Sequence, residues 1–150
     1  MQKEKYELST DPDVTIFKFV SKGPKGEIPK LIMYQKTTIK DVYNLAFGDW
    51  NETTNDIDDK AISNNNDSEK ILATVASTVL SFTYKYPKSM ILVKGSTESR
   101  TRLYRIGISN NFEEINQNFV VLGYREETWQ PFNKNTDYEA FLIERKKMKK

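Results

Sequence analysis

The segment with the clearest potential for chemistry spans residues 93–105, where an apolar run turns through small residues into an arginine-rich stretch, VKGSTESRTRLYR. The pattern predicts a strand that leads into a helix. A helix N-terminus presents unpaired backbone N–H groups and a partial positive charge, so it attracts anions. Glycine permits close approach, and arginine offers bidentate donors to phosphate. We therefore predict a phosphate site formed by Gly95, Ser96, Thr97, Arg100, Arg102 and Arg105.

The same segment also has a purely structural interpretation. Ser96 or Thr97 would then cap the helix, and the arginines would pair with Glu98 or with acidic residues upstream. Arginine early in a helix is electrostatically unfavourable unless an anion or an acid lies nearby. Both interpretations stay open at this point.

An acidic and amide-rich stretch, residues 49–68, is the second candidate. It holds Asp49, Asp56, Asp58, Asp59 and Asp67 with Glu52 and a single Lys60, and asparagines at 51, 55, 64, 65 and 66. Carboxylate and amide oxygens are ligands for Mg²⁺ or Ca²⁺, but the EF-hand pattern is absent. We favour a solvated loop whose Asp residues aid solubility or pair with the arginine helix, and we predict no metal and no cofactor.

Two further features could bind nucleic acid. The basic tail of residues 145–150 (RKKMKK) could attract nucleic acid or anionic membrane, although solvated charge is the plainer interpretation. Tyr34, Tyr43, Phe47 and Trp50 could stack on single-stranded bases if they lay on an exposed sheet face. Their alternation instead predicts that most belong to the core.

Composition excludes several classes of chemistry. The chain has no histidine and no cysteine, which excludes Ser-His-Asp and Cys-His triads and the usual zinc sites. The 150 residues, 37% of them hydrophobic, predict one domain over residues 1–150. The apolar runs are far too short to span a bilayer, and the charged N-terminus carries no secretory signal, so we expect a cytoplasmic protein that does not enter membranes.

The elements that must position these residues form an α+β pattern. Strands are predicted at 14–21, 28–36 and 42–48, the first two joined by a turn at 22–27. A helix capped by Asp67 or Ser68 follows and ends before Pro87. Residues 90–93 (MILV) are apolar throughout, which predicts a central strand buried on both faces.

The second half continues the alternation. A second helix starts at Ser96 or Thr97 and ends at residues 110–111, residues 112–118 add a turn or two, and 119–124 form a strand. Trp129 and Phe132 fall in a final strand or packed loop. Thr136 and Glu139 form a capping box that predicts a C-terminal helix. The predicted fold is thus α+β with a mainly antiparallel sheet, in the order β-β-β-α-β-α-β, and a terminal helix.

Four segments resemble a family of uncharacterised Bacteroidota proteins of about 150 residues: 23–26 (GPKG), 47–49 (FGD), 63–76 (SNNNDSEKILATVA) and 95–104 (GSTESRTRLY). The predicted element order is in addition similar to the core of the GNAT acetyltransferase superfamily. The pair Leu103-Tyr104 followed by Gly123-Tyr124 resembles the closing pattern of that superfamily. This second resemblance implies an acyltransferase with Tyr104 as general acid.

Three functions follow as hypotheses. We prefer a non-catalytic module that binds a phosphate-bearing partner, with nucleic acid as one candidate, through the segment from Gly95 to Arg105. The alternatives are a divergent GNAT-like acyltransferase and a protein-interaction domain.

Overall fold

The computed structural model describes residues 4–51, 53–54, 56–58 and 64–147. In chain order the elements are β1 (Ser9–Thr10), β2 (Ile16–Gly23), β3 (Gly26–Lys36), β4 (Val42–Asn51), β5 (Asp56–Asp58), α1 (Ser68–Lys85), β6 (Met90–Val93), α2 (Glu98–Asn110), α3 (Phe112–Asn118), β7 (Phe119–Arg125), β8 (Thr128–Pro131) and β9 (Ala140–Arg145). This is a mixed α+β fold, as the sequence pattern predicts.

The strands join into one nine-stranded sheet in the order β1-β2-β3-β4-β6-β9-β7-β8, with β5 paired to the end of β4. Strands β1 to β4 form an antiparallel meander, and β2 turns into β3 through Pro24 and Lys25. The ladder between β4 and β6 is parallel, with Val42 opposite Met90 and Leu45 opposite Val93. All other neighbouring strands pair antiparallel.

Helix α1 covers the sheet through one aromatic contact in particular. The rings of Phe82 and Tyr34 stack with centroids 4.2 Å apart, and Phe82 is fully buried. The Tyr34 hydroxyl bonds Thr78 Oγ1 at 2.7 Å within the same layer. Burial raises the pKa of Tyr34, so this phenol stays neutral at physiological pH and retains its hydrogen bond to Thr78.

The predicted C-terminal helix is wrong. Residues 140–145 form β9, which lies between β6 and β7 and pairs with both. Phe141 and Ile143 are buried on one face and Leu142 lies on the other, which is strand periodicity. Strand pairing outweighs the local capping signal, because β6 along residues 141–144 and β7 along residues 140–145 offer backbone hydrogen-bond partners on both edges of the segment.

The chain just before α1 is anchored by a buried asparagine that sequence reasoning placed in a solvated loop. Asn65 is 1% exposed. Its Oδ1 accepts from the Lys25 amide at 2.7 Å, and its Nδ2 donates to the Gly26 carbonyl at 2.9 Å and to Ser21 Oγ at 3.2 Å. A Cβ on Gly23 would lie 2.1 Å from the Asn65 carbonyl oxygen, so glycine is required there. Asn65 therefore ties α1 to the β2–β3 hairpin.

None of the described helices is long and apolar enough to cross a membrane. The cytoplasmic location and the single-domain organisation stay predictions.

We expect Asn65→Ala to lower the free energy of unfolding by about 1–3 kcal/mol, because three hydrogen bonds are lost in a buried position. Urea denaturation followed by circular dichroism measures this. Asn64→Ala is the matched control, since Asn64 is exposed and makes one local bond to the Asn66 amide. Equal losses for the two variants would contradict the anchoring role.

Candidate anion-binding sites

The start of α2 has the hydrogen bonds expected if Ser96 or Thr97 only caps the helix. Thr97 is the N-cap, and its Oγ1 accepts from the Arg100 amide at 3.2 Å. The Gly95 amide donates to Thr101 Oγ1 at 3.0 Å, and the Thr101 amide donates to the Thr97 carbonyl at 3.0 Å. A Cβ on Gly95 would lie 2.4 Å from the Thr101 nitrogen. Close packing of the loop on its own helix thus accounts for this glycine.

The three arginines of the predicted site point to different surroundings. Arg100 donates to the Phe47 carbonyl at 2.8 Å, and its guanidinium lies 5.6 Å from the centre of the Phe47 ring. Arg105 pairs with Asp137 at 3.3 Å, and Arg102 is exposed. Ser96 and Thr97 are also exposed. The arginines therefore do not converge on one point, and phosphate binding at this helix start stays a prediction.

The space beside the end of β4 is already occupied. Strand β6 pairs with β4 only up to Leu45 and Val93, and beyond that point β5 pairs with residues 49–51 on the same side. The Arg100 bond to Phe47 fills the interval between β6 and β5. The parallel ladder thus ends where β6 ends, and Arg100 and β5 lie beside the remaining residues of β4.

Tyr104 is buried and lines an apolar cavity of about 250 Å³ between the helices and the sheet. Leu45, Val93 and Ile108 contribute to its apolar wall, and Asn111 adds a polar group. The predicted general acid therefore lines a mainly apolar cavity, to which Glu114 contributes a charged side chain.

The acidic stretch and the basic tail are only partly described. Asp56 and Asp58 lie in β5, whereas residues 52, 55 and 59–63 fall outside the described residues. Within the described ranges no three acidic side chains could hold a metal ion together. Arg145 ends β9 and donates to Thr83 Oγ1 at 3.0 Å, so it belongs to the fold, and the tail beyond residue 147 is not described.

The four aromatics considered for base stacking divide between the two faces of the sheet. Tyr34 and Phe47 are buried in the core, and Tyr43 packs against it. Trp50 lies on the opposite face, where the ammonium group of Lys18 lies over its ring, 4.1 Å from the ring centre. Only Trp50 is placed where a ligand could reach it.

A groove that sequence reasoning missed runs between the N-terminal segment and the edge of β2. We call it the lysine groove; it has a volume of about 780 Å³ and is lined by five lysines (Lys5, Lys18, Lys22, Lys30, Lys70) against two glutamates (Glu7, Glu27), with Tyr6, Phe19 and Trp50. Tyr6 holds one wall in place, because its amide donates to Thr74 Oγ1 of α1 at 2.9 Å. Its ring stacks on Phe19 with centroids 5.4 Å apart.

Lysines alternate with aromatic rings along this groove. Lys18 lies over Trp50, and Lys70 lies over Tyr6 at 4.2 Å. In the described part of the chain, Lys18, Lys22 and Lys70 form no ion pair. Lys30 differs, since it is buried and paired with Asp49. The accessible lysines therefore present positive charge that no ion pair neutralises in the described part of the chain, although Glu7 and Glu27 line the same groove and Glu27 lies opposite Lys22.

The Tyr6 hydroxyl adds no negative charge to the groove. Burial raises the pKa of Tyr6, and its 2.6 Å hydrogen bond to Asp67 raises it further. The phenol therefore stays protonated at neutral pH and donates to Asp67. The sequence shows that Lys18, Val20 and Lys22 occupy every second position of β2 and so share one face. The approach of Trp50 and Lys70 to these residues depends on the fold.

We expect Gly95→Ala to destabilise the protein by more than about 2 kcal/mol, because the added methyl group would overlap the α2 backbone. Thermal unfolding followed by circular dichroism tests this. Ser99→Ala, an exposed change in the same helical turn, should stay within about 0.5 kcal/mol of the wild type. A Gly95→Ala protein of unchanged stability would show that this glycine serves another purpose.

Comparisons with known proteins identify the chain only at the level of its family. Searches of the curated proteins and of the solved structures find no significant match. One family model, described as a family of unknown function, DUF6934, matches residues 2–146. Since the match covers nearly the whole sequence, the chain belongs to this family of unknown function, DUF6934.

Proposed function

We propose that the protein is a non-catalytic binding module for single-stranded nucleic acid and that the lysine groove is its binding surface. The observation that carries this proposal is the interleaving of lysines with exposed aromatic rings in one open groove. Phosphates and bases are the two components that such a surface matches.

The charge of the groove supports a phosphate-bearing partner. Lys18, Lys22 and Lys70 come from two different elements and line the same concave surface. Each lysine that contacts a phosphate releases condensed counterions, so several together give binding that weakens steeply with salt. The net charge of the whole chain is only +2, so this local concentration of positive charge is not apparent from the composition.

The aromatic rings favour a polymer of bases over a bare phosphate. Trp50 lies half-buried on the outer side of the sheet, with the Lys18 ammonium on its ring. A base that stacks on this ring contributes about 1–3 kcal/mol without reading sequence. The phosphates flanking that base would meet Lys18 and Lys22. These lysines are four residues apart on the same face of β2, which is about 13 Å along the strand.

The groove also accommodates a ligand without disturbing the fold, unlike the start of α2. At α2 the Arg100 and Thr101 amides already have partners within the loop and helix. Arg100 would have to leave the Phe47 carbonyl to reach a phosphate. Rearranging these hydrogen bonds has a cost, whereas a base that stacks on Trp50 in the lysine groove displaces only the Lys18 ammonium from the ring.

We expect the triple variant Lys18→Gln/Lys22→Gln/Lys70→Gln to bind a fluorescein-labelled mixed 12-nucleotide DNA at least about tenfold more weakly than the wild type. Loss of three phosphate contacts should also reduce the slope of log K against log salt by about 2. Fluorescence anisotropy at several salt concentrations measures both quantities.

The matched control is Lys36→Gln/Lys88→Gln/Lys134→Gln, which removes the same charge from exposed lysines outside the groove. This control should bind nearly as well as the wild type. Trp50→Ala should weaken binding while leaving the salt slope unchanged. Absence of wild-type binding at 50 mM salt, or equal loss in both triple variants, would refute the proposal.

The strand order supports a second candidate, a divergent GNAT-like acyltransferase. An antiparallel meander, α1, a parallel β6 and α2 succeed one another as that resemblance implies, whereas three closing strands, β7 to β9, take the place of the single final strand. Two observations weigh against acyl-CoA. Residues 63–70 contain no glycine to approach a pyrophosphate, and β5 with Arg100 occupies the gap beside β4.

If this second candidate is correct, millimolar acetyl-CoA should raise the melting temperature, since a ligand at 100 times its Kd stabilises by about 2.7 kcal/mol. Tyr104→Phe should keep that shift and lose acetyl transfer to an amine, because it removes only the hydroxyl. Differential scanning fluorimetry and a free-thiol assay measure the two effects. No shift with acetyl-CoA, together with no thiol release, would remove this candidate.

A further inference from the structure

All three described helices lie on one face of the sheet, which we call the inner face. Phe82 of α1 stacks on Tyr34 of β3, which is opposite Leu45 of β4. Tyr104 and Ile108 of α2 line the same cavity as Leu45 and Val93, and Ile115 of α3 lines it too. Directly opposed residues of neighbouring strands share a face, so these contacts all belong to the inner face.

The other face, the outer face, is apolar across its centre. The pairings place Leu92, Leu142, Leu122 and Pro131 in one row across β6, β9, β7 and β8. Met33 and Ala46 extend the apolar surface across β3 and β4. We call these six residues, together with Trp129, the central patch.

Charges on the outer face are confined to its margin. In the described strands only Lys18, Lys22, Glu27 and Glu144 carry charge on this side. The one amide near the middle, Asn44, donates to Gln35 Oε1 at 3.3 Å. An antiparallel sheet with a solvated face normally carries polar residues there, whereas strands covered on both faces are apolar throughout. Strands β6, β7 and β9 follow the second pattern, yet the described helices cover only one side.

We infer that a second copy of this chain covers the central patch, in a two-fold dimer formed by packing sheet against sheet. A patch without charge does not repel its own copy, and the right-handed twist common to both sheets lets them align at about 30°. Six strands lie about 4.8 Å apart, and their contributing lengths run from about 13 Å for the four-residue β6 and β8 to about 20 Å for the longer strands, which gives a footprint of roughly 500 Å² per copy. Two such footprints reach the roughly 1,000 Å² that a specific interface needs.

The dimer leaves the lysine groove accessible. The groove lies at the β2 edge with Lys18 and Lys22, outside the central patch. Trp129, which is 39% exposed, is a side chain of the central patch that becomes buried on contact with the second copy. The inference does not rest on the nucleic-acid proposal, and its test needs no ligand.

The test is the mass in solution, measured by size-exclusion chromatography with light scattering on the full chain. The wild type should have twice the chain mass of 17.5 kDa at micromolar concentration. Leu142→Lys, at the centre of the patch, should be a folded monomer with an unchanged far-ultraviolet circular dichroism spectrum. Ile106→Lys, an equally large change at a 39% exposed position of α2, should remain dimeric.

A wild type that is monomeric at 100 µM would overturn the inference. If that monomer also binds an apolar dye such as ANS, the face belongs to a different protein partner, which equally overturns it. A folded Leu142→Lys protein that stays dimeric would place the interface elsewhere. Should Leu142→Lys not fold, Trp129→Glu takes its place, since Trp129 lies on the edge pair β7–β8 and is 39% exposed.

Discussion

The parallel ladder between β4 and β6 is the interaction on which the rest of the structure depends. It joins the antiparallel meander to the C-terminal strands, and a parallel pair requires a crossover that lies on one side of the sheet. Helix α1 is that crossover, and α2 packs beside it, where a Cβ on Gly107 would approach the Leu72 side chain to 3.0 Å. The ladder therefore assigns the helices to the inner face and leaves the outer face to other contacts.

Elements with local signals were predictable from the sequence, and those that depend on distant pairing were not. Strand β6 matches its predicted bounds because an apolar run lies between Pro87 and Gly95, and α1 follows its apolar periodicity. The capping-box residues Thr136 and Glu139 precede residues 140–145 and indicate a helix. Residues 140–145 nevertheless pair with β6, about 50 residues earlier in the chain. Strand preference of this kind reflects the neighbours that a segment meets, which no local window contains.

The two candidate sites differ in the same way: the start of α2 has a local sequence signal, and the lysine groove depends on distant pairing. The start of α2 was found because a strand, small residues and arginines follow one another, although capping and close packing account for Gly95 and Thr97. The lysine groove is assembled from segments near residues 6, 18, 50 and 70. Lys18 reaches Trp50 only because β2, β3 and β4 pair in one register, so no motif marks this surface.

The outward-facing residues of the strands change from mostly charged on β2 to apolar on β6. Strand β2 places Lys18, Val20 and Lys22 outward, whereas β6 places Met90 and Leu92 there. If water covered the entire outer face, selection for solubility would favour the β2 pattern on every strand. Under the dimer and nucleic-acid proposals, the change marks the boundary between a contact surface and a ligand surface on one sheet. A dimer through the first would carry two copies of the second, so a nucleic acid long enough to reach both grooves gains avidity from the raised effective concentration.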